Sequence, residues 1–337
     1  MGQPRSDLLR DGPAIVAEDL HKRFGRIDAL RGLDLTVIKG SVSGLLGPNG
    51  AGKTTVIRIL ATLAGPDAGR ARVAGFDVVR QADEVRGSIG LAGQHVALEE
   101  GISGRENLCL IGWLYHLGRR RARQRADELL DRFGLTEAAD RLVRTYSGGM
   151  RRRLDLIASL VIRRAVLFLD EPTTGLDPRS RNAIWQTIRE LAADGTTVLL
   201  TTQNLDEADR LADDIAVVDA GRVIASGPPQ RLKAMIGARV EVTLADASQL
   251  DAAVAVLASL AGAKPVTDPA EYTVSVTVDP HRTVALPRLV RELDGAGVSA
   301  LDVATRQPSL DDVFLALTGH VARQAGPGHA DVKGAGR

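Results

Sequence analysis

Apolar residues along this chain fall in short blocks whose period changes from one block to the next. Between residues 14 and 38 the segments AIVAEDL and ALRGLDLTVIKG alternate apolar with polar positions, which predicts short strands. The run 41–46 (SVSGLL) is an apolar strand that stops at Gly47-Pro48. Residues 53–63 (KTTVIRILATL) then place apolar side chains at 56, 57, 59, 60 and 63, a helical spacing, so the pattern reads strand, loop, helix. Residues 103–133 read as mainly helical and open with Ser103 and Glu106 in the spacing of a capping box. More helix is expected over 123–133 and 150–161. Three apolar strands follow, at 166–169 (VLFL), 196–201 (TTVLLT) and 215–219 (IAVVD), each separated from the next by a helical stretch. That alternation predicts a mostly parallel α/β sheet interrupted by a helical insert at about 95–160.

The pattern changes after residue 237. RVEVTLAD, DAAVAVLASLAG, EYTVSVTVD, VALPRLVRELDGAG and VSALDVAT read as β-α-β-α-β, closed by a short helix over 309–317. This predicts a first domain over 14–237, a small α+β domain over 238–319, and flexible tails at 1–13 and 320–337. A length of 337 residues suits two domains. The 43 basic residues nearly balance the 42 acidic ones, which argues against a dedicated nucleic-acid binder. No stretch approaches the roughly 18 apolar residues of a spanning helix, and the N-terminus lacks the apolar core of a secretory signal. One cysteine, Cys109, excludes an intrachain disulfide. Together these point to a soluble, cytoplasmic chain. Only six of the basic residues are lysines, a bias expected of a GC-rich bacterial genome.

One of those lysines lies in Gly47-Pro48-Asn49-Gly50-Ala51-Gly52-Lys53-Thr54, followed by Thr55. The segment fits G-x-x-x-x-G-K-[ST] in the strand–loop–helix setting that a phosphate-binding loop requires. Its glycines let successive backbone N–H groups point inward at a helix N-terminus, a nest for anions. Lys53 then reaches the β- and γ-phosphates and Thr54 is placed to ligate Mg²⁺. VLFLDEP supplies the complementary element. Its strand delivers Asp170 to hold Mg²⁺, and Glu171 follows as the group that polarises the attacking water. Alone, a strand ending in Asp-Glu-Pro would be read as a surface turn. No Asn-Lys-x-Asp guanine-reading motif is present, so ATP is the expected nucleotide.

Tyr146-Ser147-Gly148-Gly149-Met150 resembles the L-S-G-G-Q signature of the ATP-binding subunits of ABC transporters. The resemblance covers residues 14–237. It implies the P-loop NTPase fold of ABC ATPases and a homodimer in which Ser147, Gly148 and Gly149 complete the partner's ATP site. It also implies that Phe24 stacks on adenine, although Phe24 alone would read as core. Gln94 would touch Mg²⁺ and relay to a membrane partner, and Thr174-Gly175-Leu176-Asp177-Pro178 would line the dimer interface through Asp177. One position departs from the family. The switch histidine expected after the strand LLTT is Gln203, which can donate a hydrogen bond to the γ-phosphate but cannot titrate near neutral pH.

Gln203, the continuation RRRLDL and the segment 308–319 (PSLDDVFLALTG) narrow the resemblance to the daunorubicin/doxorubicin-resistance, or DrrA-like, exporters. This implies an ATP-hydrolysing subunit, peripheral on the cytoplasmic face of the membrane, that drives export of hydrophobic antibiotics through a separate permease. Two other readings compete: a soluble ABC-type ATPase of translation or DNA repair, and a non-hydrolysing regulator suggested by Gln203. One P-loop and no sustained heptads disfavour the former. The arginines at 119–125 and 151–153 read as solvated helix faces, Cys109 as core, and His95 as a loop residue rather than a ligand.

Overall fold

The structure is a computed structural model that describes residues 12–93, 98–278 and 285–324, with side chains described as far as 317. The first alternating segment runs on past its pattern, and the second begins two residues before its own. β1 (Ile15–Phe24) and β2 (Ile27–Val37) form an antiparallel hairpin. β3 (Val42–Leu46) is buried at all five positions, and α1 (Lys53–Leu60) follows the glycine loop. β4 (Ala68–Val73) and β5 (Phe76–Asp77) then return to the hairpin and make an antiparallel sheet of order β2-β1-β4-β5. No local apolar run announces these last two strands; β4 reads AGRARV, and only two of its residues are buried.

The chain continues through α2 (Ala82–Ser88), β6 (Ile89–Ala92), α3 (Gly104–Leu114), α4 (Arg119–Arg132), α5 (Gly148–Ala158), β7 (Val166–Asp170), α6 (Pro178–Ala193), β8 (Thr197–Thr202), α7 (Leu205–Leu211), β9 (Asp214–Asp219) and β10 (Arg222–Gly227). The main sheet has the order β10-β9-β3-β8-β7-β6 and is parallel except for β10, which runs antiparallel to β9. Its apolar runs alternate between two cores, as a sheet covered on both faces requires. Leu167 and Leu169 of β7, with Val198 and Leu200 of β8, face the core formed with α3–α6. Val166, Phe168 and Leu199 face the other core, shared with α1 and the antiparallel sheet. The capping box expected at α3 is present: Glu106 N–H donates to Ser103, and Ser103 N–H donates to the Glu106 carboxylate at 2.8 Å. Cys109 is buried, as its apolar surroundings predict.

The chain divides into two units between Gly227 and Pro228. The second contains α8 (Pro229–Ala234), β11 (Arg239–Leu244), α9 (Leu250–Ala261), β12 (Val266–Asp268), β13 (Thr273–Thr277), α10 (Leu286–Gly295), β14 (Ala300–Arg306) and α11 (Leu310–Gln324). The sheet order is β12-β13-β11-β14 with every neighbouring pair antiparallel, which makes a ferredoxin-like β-α-β-β-α-β unit. It has one strand more than the apolar pattern predicts, because β12 is only three exposed residues. Val240, Val242, Leu244, Val274 and Val276 pack under Ala253 and Leu257 of α9 and Leu289 and Leu293 of α10. The last helix also departs from expectation. It runs to Gln324, past the residue 320 at which the tail was expected to begin. Among the described residues no helix is long and apolar enough to cross a membrane.

Candidate nucleotide site

The ends of β3, β8 and β7 lie side by side, so the loops that leave them share one edge of the parallel sheet. This carboxyl edge is where open α/β sheets bind ligands. Residues 48–50 of the glycine loop are exposed, whereas Gly47 and residues 51–53 are buried. Gly47 N–H donates to the Thr202 carbonyl, and the Ala51 carbonyl accepts from Gly221 N–H at 3.0 Å. Two glycines are required by space. A Cβ on Gly47 would lie 2.2 Å from the Val218 carbonyl oxygen, and one on Gly52 would lie 2.7 Å from that of Ala29. Gly52 also has φ +109°, and it precedes α1 without a side-chain cap. The first N–H groups of α1 therefore have no side-chain competitor for an anion.

Lys53 is 5 % exposed, with Nζ donating to the Gly47 carbonyl at 2.7 Å and the Pro48 carbonyl at 3.0 Å. Its ammonium lies 3.9 Å from the Glu171 carboxylate. Burial pushes the Lys53 pKa below the ordinary lysine value, against the opposing pull of Glu171 and Asp170. Thr54 Oγ1 donates to Asp170 Oδ1 at 3.2 Å, and Thr201 Oγ1 donates to the same oxygen at 2.5 Å. A hydroxyl and a carboxylate this close form an all-oxygen donor pair, which fits Mg²⁺ better than a softer ion. Among the described residues no group of three or more His, Cys, Asp and Glu could hold a metal alone. A divalent ion here would draw its other ligands from water and substrate phosphates, the usual habit of Mg²⁺.

Glu171 adopts φ +51°, the left-handed region that residues with a Cβ seldom occupy. Its N–H donates to both the carbonyl and Oγ1 of Thr201, and its carboxylate accepts from Thr174 Oγ1 at 3.0 Å. The turn aims the carboxylate back toward Lys53 rather than along the strand.

Other expected residues lie farther out. Phe24 ends β1 with 48 % of its surface exposed and Lys22 Nζ 5.5 Å from its ring centroid, so it is a surface ring and not core. Gln203 is exposed, one residue beyond the Thr202 carbonyl that meets Gly47. Asp177 caps α6, accepting from Ser180 N–H at 3.0 Å and Ser180 Oγ at 2.7 Å. Those two bonds hold its carboxyl below the usual carboxylate range. Ser147 caps α5 and is exposed together with Gly148. Gly149 permits a close helix crossing, since a Cβ there would lie 2.2 Å from Ser180 Oγ. Among the described residues Ser147 and Gly149 make no hydrogen bond with the glycine loop. Gln94 and His95 lie outside the described residues.

Three contributors escape a reading of local pattern. Thr201 orients Asp170, and Arg152 donates to backbone carbonyls around β7. Glu207, only 1 % exposed, accepts from Thr173 Oγ1 at 2.8 Å and from Trp185 Nε1 at 3.0 Å, tying α7 to α6 and to the loop after β7. The one signal for Thr201 is a polar residue ending an apolar strand. Arg152 is hidden within a run of three arginines.

The family description "ABC transporter" matches residues 30–174. Over 311 residues the chain is 56 % identical to "Daunorubicin resistance ATP-binding protein DrrA2" of Streptomyces coeruleorubidus, covering 92 % of this chain and 96 % of that protein. It is 46 % identical over 322 residues to "Doxorubicin resistance ATP-binding protein DrrA" of Mycobacterium tuberculosis, covering 92 % and 95 %. Among solved structures it is similar to cbiO1 from Clostridium perfringens, described as part of the ABC transporter complex cbiONQ. The TM-score there is 0.62 at 28 % identity, covering 66 % of this chain and 91 % of that one.

Proposed function

Because the chain belongs to the ATP-binding proteins of ABC transporters, we propose that it powers export of hydrophobic, anthracycline-like drugs through a separate membrane subunit. The observation that carries the reading is the meeting of Lys53, Thr54, Asp170 and Glu171 at one edge of the parallel sheet. Two relatives named for daunorubicin and doxorubicin resistance, each matched over nearly its whole length, support the drug class.

In this reading the 47–55 backbone and Lys53 bind the phosphates of ATP, and Phe24 offers a stacking face for adenine. Thr54 and Asp170, with Gln94, would hold Mg²⁺, whose charge would offset that of the phosphate oxygens. Glu171 orients water for in-line attack on the γ-phosphorus and takes up its proton as the bond to ADP breaks. Gln203 donates to the γ-phosphate, and its amide keeps that role at any pH near neutrality. Ser147, Gly148 and Gly149 serve the ATP bound by a second copy of the chain, while Asp177 lies along the shared interface. The working unit is a homodimer, peripheral on the cytoplasmic face of the membrane and docked on its permease.

The test is drug accumulation in cells producing this chain with its membrane subunit. Wild-type protein should lower intracellular anthracycline, and Glu171→Gln should restore it to the level of cells lacking the pair. Equal accumulation with both proteins, when only wild type hydrolyses ATP, would sink the export reading.

A further inference from the structure

The mechanism leaves unused a guanidinium that is largely enclosed by backbone. Arg152 lies on α5, five residues beyond Ser147, with its side chain 12 % exposed. Its guanidinium donates to four backbone carbonyls on two other segments. Nη2 reaches the carbonyls of Asp170 and Glu171, both at 3.1 Å. Nε reaches Pro172 at 3.0 Å, and Nη1 reaches Gly93 just beyond β6. Only the planar fork of arginine can serve so many acceptors at once; a lysine ammonium is a single point of charge.

The segment it grips carries backbone strain of its own. Glu171 is held at φ +51° by Thr201 on its N–H side and by Arg152 on its carbonyl side. Strained conformations persist where their surroundings over-determine them, and they cluster where geometry matters for function. The helix bearing Arg152 is the one whose first turn presents Ser147 and Gly148 to the outside.

We propose that Arg152 is a positioning residue that sets the Glu171 turn according to the placement of α5. Through it, ATP on the Ser147–Gly149 face of a chain governs water activation at that chain's own phosphate loop. This rests on the reading in which Glu171 orients water and Ser147–Gly149 meet the partner's nucleotide. Because those two sites hold different ATP molecules, the link is a coupling between the two ATPase sites of the dimer. The α5 helix acts as the lever and its arginine as the joint.

The experiment measures ATPase rate against ATP concentration for the full chain as wild type, Arg152→Gln, Arg152→Lys and Glu171→Gln. Fluorescent-nucleotide binding and thermal melting accompany each. Arg152→Gln should lower kcat about tenfold to a hundredfold, the scale of a small misplacement of a reacting group. Its Hill coefficient should fall toward 1, while ATP affinity stays within about twofold of wild type. Arg152→Lys should recover part of kcat at unchanged affinity. An Arg152→Gln enzyme with wild-type kcat and cooperativity overturns the proposal. So does a kcat loss that vanishes once rates are corrected for the folded fraction. Unchanged turnover in Glu171→Gln would instead overturn the underlying assignment, so the two failures are separable.

Discussion

Helices α1 and α5 both begin beside glycines and both carry no acid in their first turn, yet their surroundings differ in kind. The start of α1 is enclosed by its own chain: Lys53 is buried, and Asp170, Glu171, Thr201 and Thr202 converge on it from neighbouring strands. The start of α5 is capped by Ser147 and faces outward, with no hydrogen bond to the glycine loop among the described residues. The same local device, backbone N–H groups at a helix end, is nearly complete as a site in one place and unfinished in the other. An enclosed start can bind a phosphate alone. An exposed one acquires purpose when another surface brings the phosphate to it.

Glu171 separates the two helix starts most sharply. Glu171→Gln should cut turnover by about 10²–10⁴, the usual contribution of a positioned acid–base group, while ATP binding to the chain persists. Steady-state ATPase with parallel nucleotide titration checks this, and joint loss of binding would mean that Glu171 shapes the pocket instead. Next comes Gly149→Ala, whose new methyl would meet Ser180 Oγ at 2.2 Å and push α5 from α6. Turnover should drop about tenfold with nucleotide affinity of the single chain unaltered, because the α5 start and the grip of Arg152 on the Glu171 turn both shift while the glycine loop is untouched. Equal damage to affinity would show that the two helix starts are not separate.

A smaller effect concerns pH. Burial lowers the Lys53 pKa, and bound phosphates should raise it again. Below the lowered value both the free and the bound amine are protonated, so ATP affinity is flat. Above it, binding takes up a proton and affinity falls as pH climbs toward the ordinary lysine value. Calorimetry across that alkaline range should show the decline in wild type and its absence in Lys53→Arg, whose guanidinium stays charged. The smallest change is expected for Gln203→His. Turnover should stay within about fivefold of wild type near neutrality but gain a dependence on pH around 6–7 that the glutamine lacks. A pH profile identical to wild type would place residue 203 outside the phosphate's reach.

The glycine loop, the strand ending in Asp170 and the capping box at Ser103 were legible because each is a local statement. Their residues sit within a few positions of one another, and the backbone geometry follows from residue type. What stayed hidden depends on chain distance. The antiparallel sheet joins Glu18 to Arg70, and β4 becomes a strand by pairing with β1 rather than by any apolar alternation of its own. Thr201 lies 31 residues from Asp170, and Arg152 lies 59 from Gly93. Nothing in a window of sequence reports such pairs. The left-handed turn at Glu171 was equally silent, since its φ is imposed by neighbours rather than by a permissive residue. The helix after residue 309 is the mixed case. Its start is declared by Ser309 and Asp312, whose side chains and N–H groups bond reciprocally, but its reach to Gln324 is not.

The hydrogen bond from Trp185 to Glu207 has a practical reach beyond stability. The chain has two tryptophans; Trp113 has 46 % of its surface exposed and lies near Arg119, whereas Trp185 is buried against a carboxylate that also holds Thr173. Their light emission should therefore differ in colour and in access to a dissolved quencher. With Trp113 replaced, the fluorescence of Trp185 becomes a native optical gauge. It reads, without any attached dye, whether the loop after β7 and the helix after Gln203 are still fastened together.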